Sequence, residues 1–358
     1  MAYEITGSAA LTVASRNPAR QWVGGAVGSS ARDRFETGAY FAVRHQPKFR
    51  ITRDMRIFTM GSCFAREVEN VLIQSGVPLV TKDFGIAPEL FDSWDEAKGT
   101  GGGVPRGRLS RGAFNKYTVA SMTHEIKRVL LDEQYDDDGL IELQPDLWFD
   151  PHAAGTRSGP YDMVRECRRR IAAATAQIRQ ADVVFLTLGL VEGWVDTRTG
   201  LAMNRAPGGR PMMRLADRFN FVVPSYGEAL VELEETIELI REVCNPDMRF
   251  VITVSPVPFH ATFRPLDVVT ANTLSKALLR TLTDEVSSRH DFVDYFPSYE
   301  IVTNSPRELA WSDDRLHVNH RMVGHVMRSF STCYLDDAPA DIAAAPRAAA
   351  MAPAVGVQ

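Results

Sequence analysis

Ile57-Phe58-Thr59-Met60-Gly61-Ser62-Cys63-Phe64-Ala65-Arg66-Glu67 is the stretch whose reading decides the fold. Four residues suited to a buried strand run into Gly-Ser. An apolar pattern at helical spacing follows, with Phe64, Val68, Val71 and Leu72 at i, i+4, i+7 and i+8. A strand that turns sharply into a helix leaves its turn residue at the carboxyl edge of a sheet. The free N–H groups of the helix amino terminus lie beside it and favour negative charge. Ser62 stands at that turn. Two roles are open to it from this stretch alone: a helix cap, or a nucleophile that needs a base from elsewhere in the chain.

Outward from this turn the chain keeps alternating. Strands are expected at 57–60, 77–81, 183–188, 249–254 and 291–296, and helices at 114–131, 161–180, 227–243, 267–289 and 319–333. Asp182-Val183-Val184-Phe185-Leu186-Thr187-Leu188-Gly189 is a continuous apolar run of the kind buried on both faces of a parallel sheet. Strand-helix alternation implies right-handed crossovers and an α/β domain with helices on both faces of a five-stranded parallel sheet. Sites in such sheets lie outside the carboxyl ends of the strands. Those ends read Gly61-Ser62, Phe84-Gly85, Gly189 to Trp194 and Ser255 to His260. Residues 1–48 read as an irregular arm that packs Trp22, Phe35, Tyr40 and Phe41 onto the body. Residues 49–336 form the α/β domain, with an irregular excursion at 195–224, and 337–358 are an Ala/Pro-rich disordered tail.

The 358 residues are 45% hydrophobic and 24% charged, which suits a globular protein, and the net charge of -5 offers no broad attraction to nucleic acid or anionic lipid. Arg168-Arg169-Arg170 reads as a solvated helix face. No apolar run reaches the roughly 18 residues of a membrane span, and no secretory signal is visible, so a cytoplasmic protein is expected. Cys63, Cys167, Cys244 and Cys333 are scattered and lack zinc-site spacing. Gly99 to Gly103 lacks the spacing of a phosphate loop, and Asp136-Asp137-Asp138-Gly139 lacks the final Glu of a calcium loop. No nucleotide cofactor and no catalytic metal are expected. The sequence does not give the oligomeric state.

A serine hydroxyl needs an adjacent base, itself oriented by an acid. Of the eight histidines, His124 and His290 fall in helix or helix-end settings that suit surface roles. His317 differs, lying in Trp311-Ser312-Asp313-Asp314-Arg315-Leu316-His317-Val318-Asn319 after the last strand. Asp314, three residues earlier, is placed to aim its carboxylate at Nδ1 and leave Nε2 free for the serine proton. The competing reading has Asp314 capping the final helix and His317 on its surface. Cys63 is the competing nucleophile, but a strand-to-helix elbow presents one side chain and turns the next into the packing, which favours Ser62.

Gly61-Ser62-Cys63-Phe64-Ala65 resembles the motif of the GSCFA domain family, a branch of the SGNH (GDSL-like) hydrolases. The resemblance runs over about residues 48–335 and includes Phe84-Gly85-Ile86, Thr187 to Trp194, Ser255-Pro256-Val257-Pro258 and Asp314-Arg315-Leu316-His317. It implies a flavodoxin-like three-layer α/β/α fold with Ser62 as nucleophile, Asp314 as acid and His317 as base. In SGNH enzymes the oxyanion is held by the serine N–H, a glycine N–H and an asparagine side chain. Gly85 matches the glycine, and Gly189 opens the block that should carry the asparagine, but Leu190, Val191 and Glu192 stand there instead. Asn115 is a candidate replacement, with helix capping as its other reading. Glu192 suits a sugar hydroxyl or an arginine partner. Trp194 suits stacking on a sugar ring or a core role, and His260 suits a substrate contact or a structural role. Asn272, Ser275 and Lys276 are undecided. The expected function is a serine esterase or O-acyltransferase acting through an acyl-enzyme on an O-acetylated carbohydrate or other small-molecule ester. The alternative is a degenerate hydrolase that binds carbohydrate without turnover.

Overall fold

The structure, a computed structural model, describes residues 4–37, 39–74, 76–80, 114–131, 139–208 and 212–336. Gly85, the glycine run at 99–103, most of the acidic turn at 136–139 and the tail at 337–358 lie outside the described residues.

Two short helices, α1 (Gly7–Arg16) and α2 (Ala31–Glu36), interrupt the arm that was expected to be irregular. The arm is tied to the body where Phe41 N–H donates to Ser305 Oγ at 2.8 Å and His45 Nε2 meets the Tyr334 hydroxyl at 2.9 Å. β1 (Ile57–Gly61) and α3 (Cys63–Gln74) follow, then α4 (Val119–Leu130), a hairpin of β2 (Ile141–Gln144) and β3 (Leu147–Phe149), and α5 (Tyr161–Thr175). The second half carries β4 (Val183–Leu188), β5 (Gly193–Asp196), β6 (Leu201–Met203), β7 (Phe219–Val222), α6 (Tyr226–Val243), β8 (Arg249–Val254), α7 (Val268–Arg289) and β9 (Val293–Tyr295). α8 (Ser298–Thr303), α9 (Arg307–Ala310) and α10 (His320–Tyr334) close the chain.

The main sheet has four strands in the order β1-β4-β8-β9, all parallel. Of the fifth strand expected at 77–81, the described residues contribute a parallel bridge from Leu79 to Ile57. Ile57 N–H donates to Pro78 O and Val80 N–H donates to Ile57 O, while Pro78 has no N–H to extend the ladder. The bridge places this segment beside β1, on the edge away from β4.

Alternation along the strands builds the three layers. Phe58 and Met60, Val184, Leu186 and Leu188, and Phe250, Ile252 and Val254 face one way, under α4, α6 and α7. Ile57, Val183, Phe185 and Val251 face the other way, under Phe64, Val68 and Leu72 of α3 and Met322, Val326 and Phe330 of α10. The 195–224 excursion is not irregular throughout: β5, β6 and β7 make a small antiparallel sheet. These strands are three or four residues long, too short to announce themselves by alternation. The basic run is also corrected. Arg168 is almost fully buried, its guanidinium forked onto the Asp150 carboxylate at 2.8 and 2.6 Å.

Candidate functional site

Gly61 ends β1 at φ +142°, where a Cβ would lie 2.3 Å from the Thr187 carbonyl oxygen. Only glycine allows β1 and β4 to approach this closely at the turn. Ser62 follows as the residue before α3, and its Oγ accepts from the Phe64 N–H at 3.3 Å, a capping bond. Its own N–H donates to Thr187 O at 3.1 Å, so the amide that SGNH enzymes aim at the oxyanion is engaged here. Ser62 is 3% exposed. Cys63 is the first residue of α3 and half-buried.

Asp314 and His317 lie in a tight turn after α9. Ser312 N–H donates to His317 O at 2.8 Å, and Arg315 is held in the left-handed region at φ +56°. This curl brings Asp314 Oδ2 to 2.6 Å from His317 Nδ1, while Asp314 Oδ1 accepts from the N–H groups of Leu316 and His317, each at 3.0 Å. Partial burial pushes the Asp314 carboxyl up. The His317 N–H and imidazole and the Leu316 N–H outweigh that and hold it down at about 2. The cap of α10 is Asn319, so the capping alternative for Asp314 does not hold. Among the described residues no hydrogen bond joins His317 to Ser62. The His317 side chain is 46% exposed.

Asn115 lies directly beside the elbow. It forms a parallel bridge with Gly61, and Lys116 N–H donates to Gly61 O at 2.8 Å. Its expected alternative as a cap is corrected: Thr118 caps α4, accepting from Ser121 N–H. Asn115 Nδ2 donates to the Tyr117 hydroxyl at 3.4 Å, and its buried Oδ1 has no partner among the described residues. Gly189 closes the other side. A Cβ there would lie 3.2 Å from Ser62 Cβ and 2.8 Å from Tyr117 O, so its backbone rests against the serine.

One face of α7 holds these loops. Asn272, Ser275 and Lys276, at i, i+3 and i+4, each bind backbone. Asn272 Oδ1 accepts from Phe259 N–H at 3.2 Å, and Ser275 Oγ accepts from Val191 N–H at 3.2 Å. Lys276 Nζ donates to Gly189 O at 2.7 Å and Val257 O at 2.8 Å.

Beyond Gly189 a cavity of about 260 Å³ opens, small for a ligand pocket. Glu192, Trp194 and His260 line it together with Tyr117, Phe221 and Phe263. Trp194 meets Phe263 edge-on at 5.0 Å and Phe221 at 5.3 Å between ring centres. Among the described residues Glu192 pairs with no arginine: its carboxylate accepts from the Thr262 hydroxyl at 2.9 Å and the Phe263 N–H at 3.3 Å. It therefore fixes the loop that carries Phe263.

The structure thus gathers Ser62, Asn115 and Gly189 at the elbow and Glu192, Trp194 and His260 in the adjoining cavity. Asp314 and His317 form a separate, internally bonded pair, and Gly85 lies outside the described residues. Tyr117, Phe221 and Phe263 were not singled out by sequence, and no role was assigned to Lys276. The spacing of Asn272, Ser275 and Lys276 on one helix face was the available signal for the last. Among the described residues no cluster of His, Cys, Asp or Glu suits a metal ion, and no helix is long and apolar enough to cross a membrane.

A parallel α/β/α fold whose first strand ends in Gly-Ser, with an Asp-x-x-His turn before its last helix, has the SGNH-like α/β/α architecture that the sequence resemblance implies. The model of the GSCFA family matches residues 56–330, and the chain belongs to that family. No curated protein sequence matches it. A solved Clostridium thermocellum family 3 carbohydrate esterase aligns over 79% of this chain and 94% of its own, at 12% identity and a TM-score of 0.33.

Proposed function

We propose that this protein is a serine esterase or O-acyltransferase that works through an acyl-enzyme on Ser62, with an O-acetylated carbohydrate as substrate. The observation that carries the reading is the 2.6 Å bond between Asp314 and His317 Nδ1. It fixes the tautomer in which Nε2 is the free, basic nitrogen. In the reaction Ser62 Oγ bonds to the ester carbonyl carbon as its proton passes to His317 Nε2. The carbon–oxygen bond to the sugar then breaks, and the departing alkoxide takes that proton. Water or an acceptor hydroxyl next gives its proton to Nε2 and attacks the acyl carbon; the bond to Ser62 Oγ breaks, and Nε2 returns the proton to Oγ. Ser62 Oγ and His317 must come within hydrogen-bond reach when substrate binds, as catalytic bonds that are loose in free enzymes often tighten in complexes.

With the Ser62 N–H engaged and the expected asparagine replaced, oxyanion stabilisation falls to the Gly189 backbone and Asn115, both against the elbow. The amino terminus of α3 adds favourable potential for negative charge. The ring cluster of Trp194, Phe221 and Phe263 supplies the apolar face that a sugar ring stacks on.

The second reading, a binding protein without turnover, is favoured by the burial of Ser62 and its capping bond to Phe64. A fluorophosphonate probe separates the two. Labelling that is lost in Ser62→Ala and kept in Cys63→Ala supports the serine enzyme. Absence of labelling in wild type favours the binding protein, and labelling that depends on Cys63 moves the nucleophile by one residue.

A further inference from the structure

Lys276 is 1% exposed, and among the described residues its partners are two carbonyls and no carboxylate. A buried ammonium without a counter-charge is costly, and a hydrophobic residue at this helical position would serve packing better. Its two acceptors are the carbonyl of Gly189, at the end of β4, and that of Val257, in the loop after β8. Gly189 is the residue whose backbone rests against Ser62.

Resting on the serine-enzyme reading, we propose that Lys276 is a positioning residue. It locks the Gly189 turn against Ser62 and places its positive charge behind the spot where the oxyanion develops, in place of the asparagine missing from that turn. A lysine of this kind acts through Gly189 without touching substrate. Preorganised charge in a site closed to water is the form of stabilisation that needs no rearrangement during reaction.

Burial pulls the Lys276 ammonium down to about 7, with Cys63, at the start of α3, acting weakly in the opposite sense. Cys63 is the titratable group whose charge reaches Lys276 among the described residues; the polar groups otherwise facing it are the two carbonyls. The lock therefore carries its charge below neutrality and loses it above.

The test pairs kinetics with a readout that does not need turnover. Aryl acetate hydrolysis is followed against pH in wild type, Lys276→Met and Ser62→Ala, and the Gly189 amide is followed by two-dimensional NMR over about pH 5 to 9, bracketing the titration of a perturbed lysine. The expected results are a Lys276→Met kcat lower by roughly 10- to 100-fold with little change in KM, and an alkaline loss of wild-type kcat that the variant lacks. The Gly189 signal should titrate with the same midpoint and stop doing so in Lys276→Met. A flat Gly189 signal in wild type overturns the proposal, as does a variant with the wild-type rate and alkaline limb. If Ser62→Ala hydrolyses as fast as wild type, the serine-enzyme reading fails instead. The wild-type Gly189 titration then decides the Lys276 lock by itself, even if Lys276→Met does not fold.

Discussion

Asp314 Oδ2 lies 2.6 Å from His317 Nδ1, across a turn that Arg315 closes from the left-handed region. The carboxylate thus faces both the ring and the backbone of the residue it orients. Asp314→Asn should keep the turn, because an amide oxygen can still accept from the Leu316 and His317 N–H groups. It should nevertheless lower kcat by about 10²- to 10⁴-fold by releasing the tautomer. Steady-state hydrolysis of an aryl acetate checks this, and a variant within threefold of wild type removes Asp314 from the mechanism. Because the Asp314 carboxyl is held at about 2, acid loss of activity in the histidine range, about pH 5 to 7, is not expected from its protonation.

Trp194, Phe221 and Phe263 line the cavity, and Glu192 fixes the last of them through Thr262 and its own N–H. Trp194→Ala should raise KM for an acetylated sugar by roughly tenfold, the order of one aromatic contact, with kcat little changed. KM for a small aryl acetate should stay nearly constant. Equal effects on both substrates would take the sugar away from this cavity.

Gly61→Ala should destabilise the fold by at least about 2 kcal/mol, since the new Cβ meets the Thr187 backbone and the positive φ is strained. The urea midpoint measures it. A midpoint equal to wild type would mean that β1 and β4 can separate at the elbow.

Two histidines hold the two backbone polar groups of Ala202 in β6. His124 Nδ1 accepts from the Ala202 N–H at 2.7 Å, and His152 Nδ1 meets the Ala202 carbonyl at 2.8 Å, as its donor. The His124 ring must be neutral to accept; the His152 ring can donate in either state, and its burial disfavours the charged one. Burial lowers each to about 4, with Asp150 opposing at His152 and neighbouring cations adding at both. The unfolded chain takes up these protons near the ordinary histidine value of about 6.5. Between those limits the unfolded state therefore binds more protons, and stability falls as pH falls from about 6.5 to about 4. For the buried His152 the loss is roughly 3 kcal/mol in full. Denaturant midpoints across this window should drop steeply in wild type. The drop should be shallower in the double variant His124→Asn/His152→Asn, whose amides can keep both bonds without titrating. An unchanged drop would place the acid sensitivity elsewhere.

The sheet, its parallel order and the Gly61-Ser62 turn were legible because long apolar strands and periodic helices carry their own signal. Asp314 and His317 were legible because they are three residues apart. What sequence missed depended on distant partners. Arg168 looks like surface beside Arg169 and Arg170 until Asp150 is placed against it. Asn115 looks like a helix start until Gly61 pairs with it and Thr118 takes the cap. His124 looks like a surface residue until Ala202 arrives. The 77–81 segment has strand-like residues, yet among its described residues Leu79 alone bridges β1, and Pro78 has no N–H to extend the ladder backward.

A serine mechanism requires a covalent acyl group on Ser62, which rapid-quench intact-mass analysis during aryl acetate turnover detects. One acetyl group per chain is expected, mapped to the peptide bearing Ser62, accumulating in His317→Ala more slowly than in wild type and absent from Ser62→Ala. An acetyl group mapped to Cys63 or Lys276, or wild-type turnover in Ser62→Ala, would contradict that mechanism.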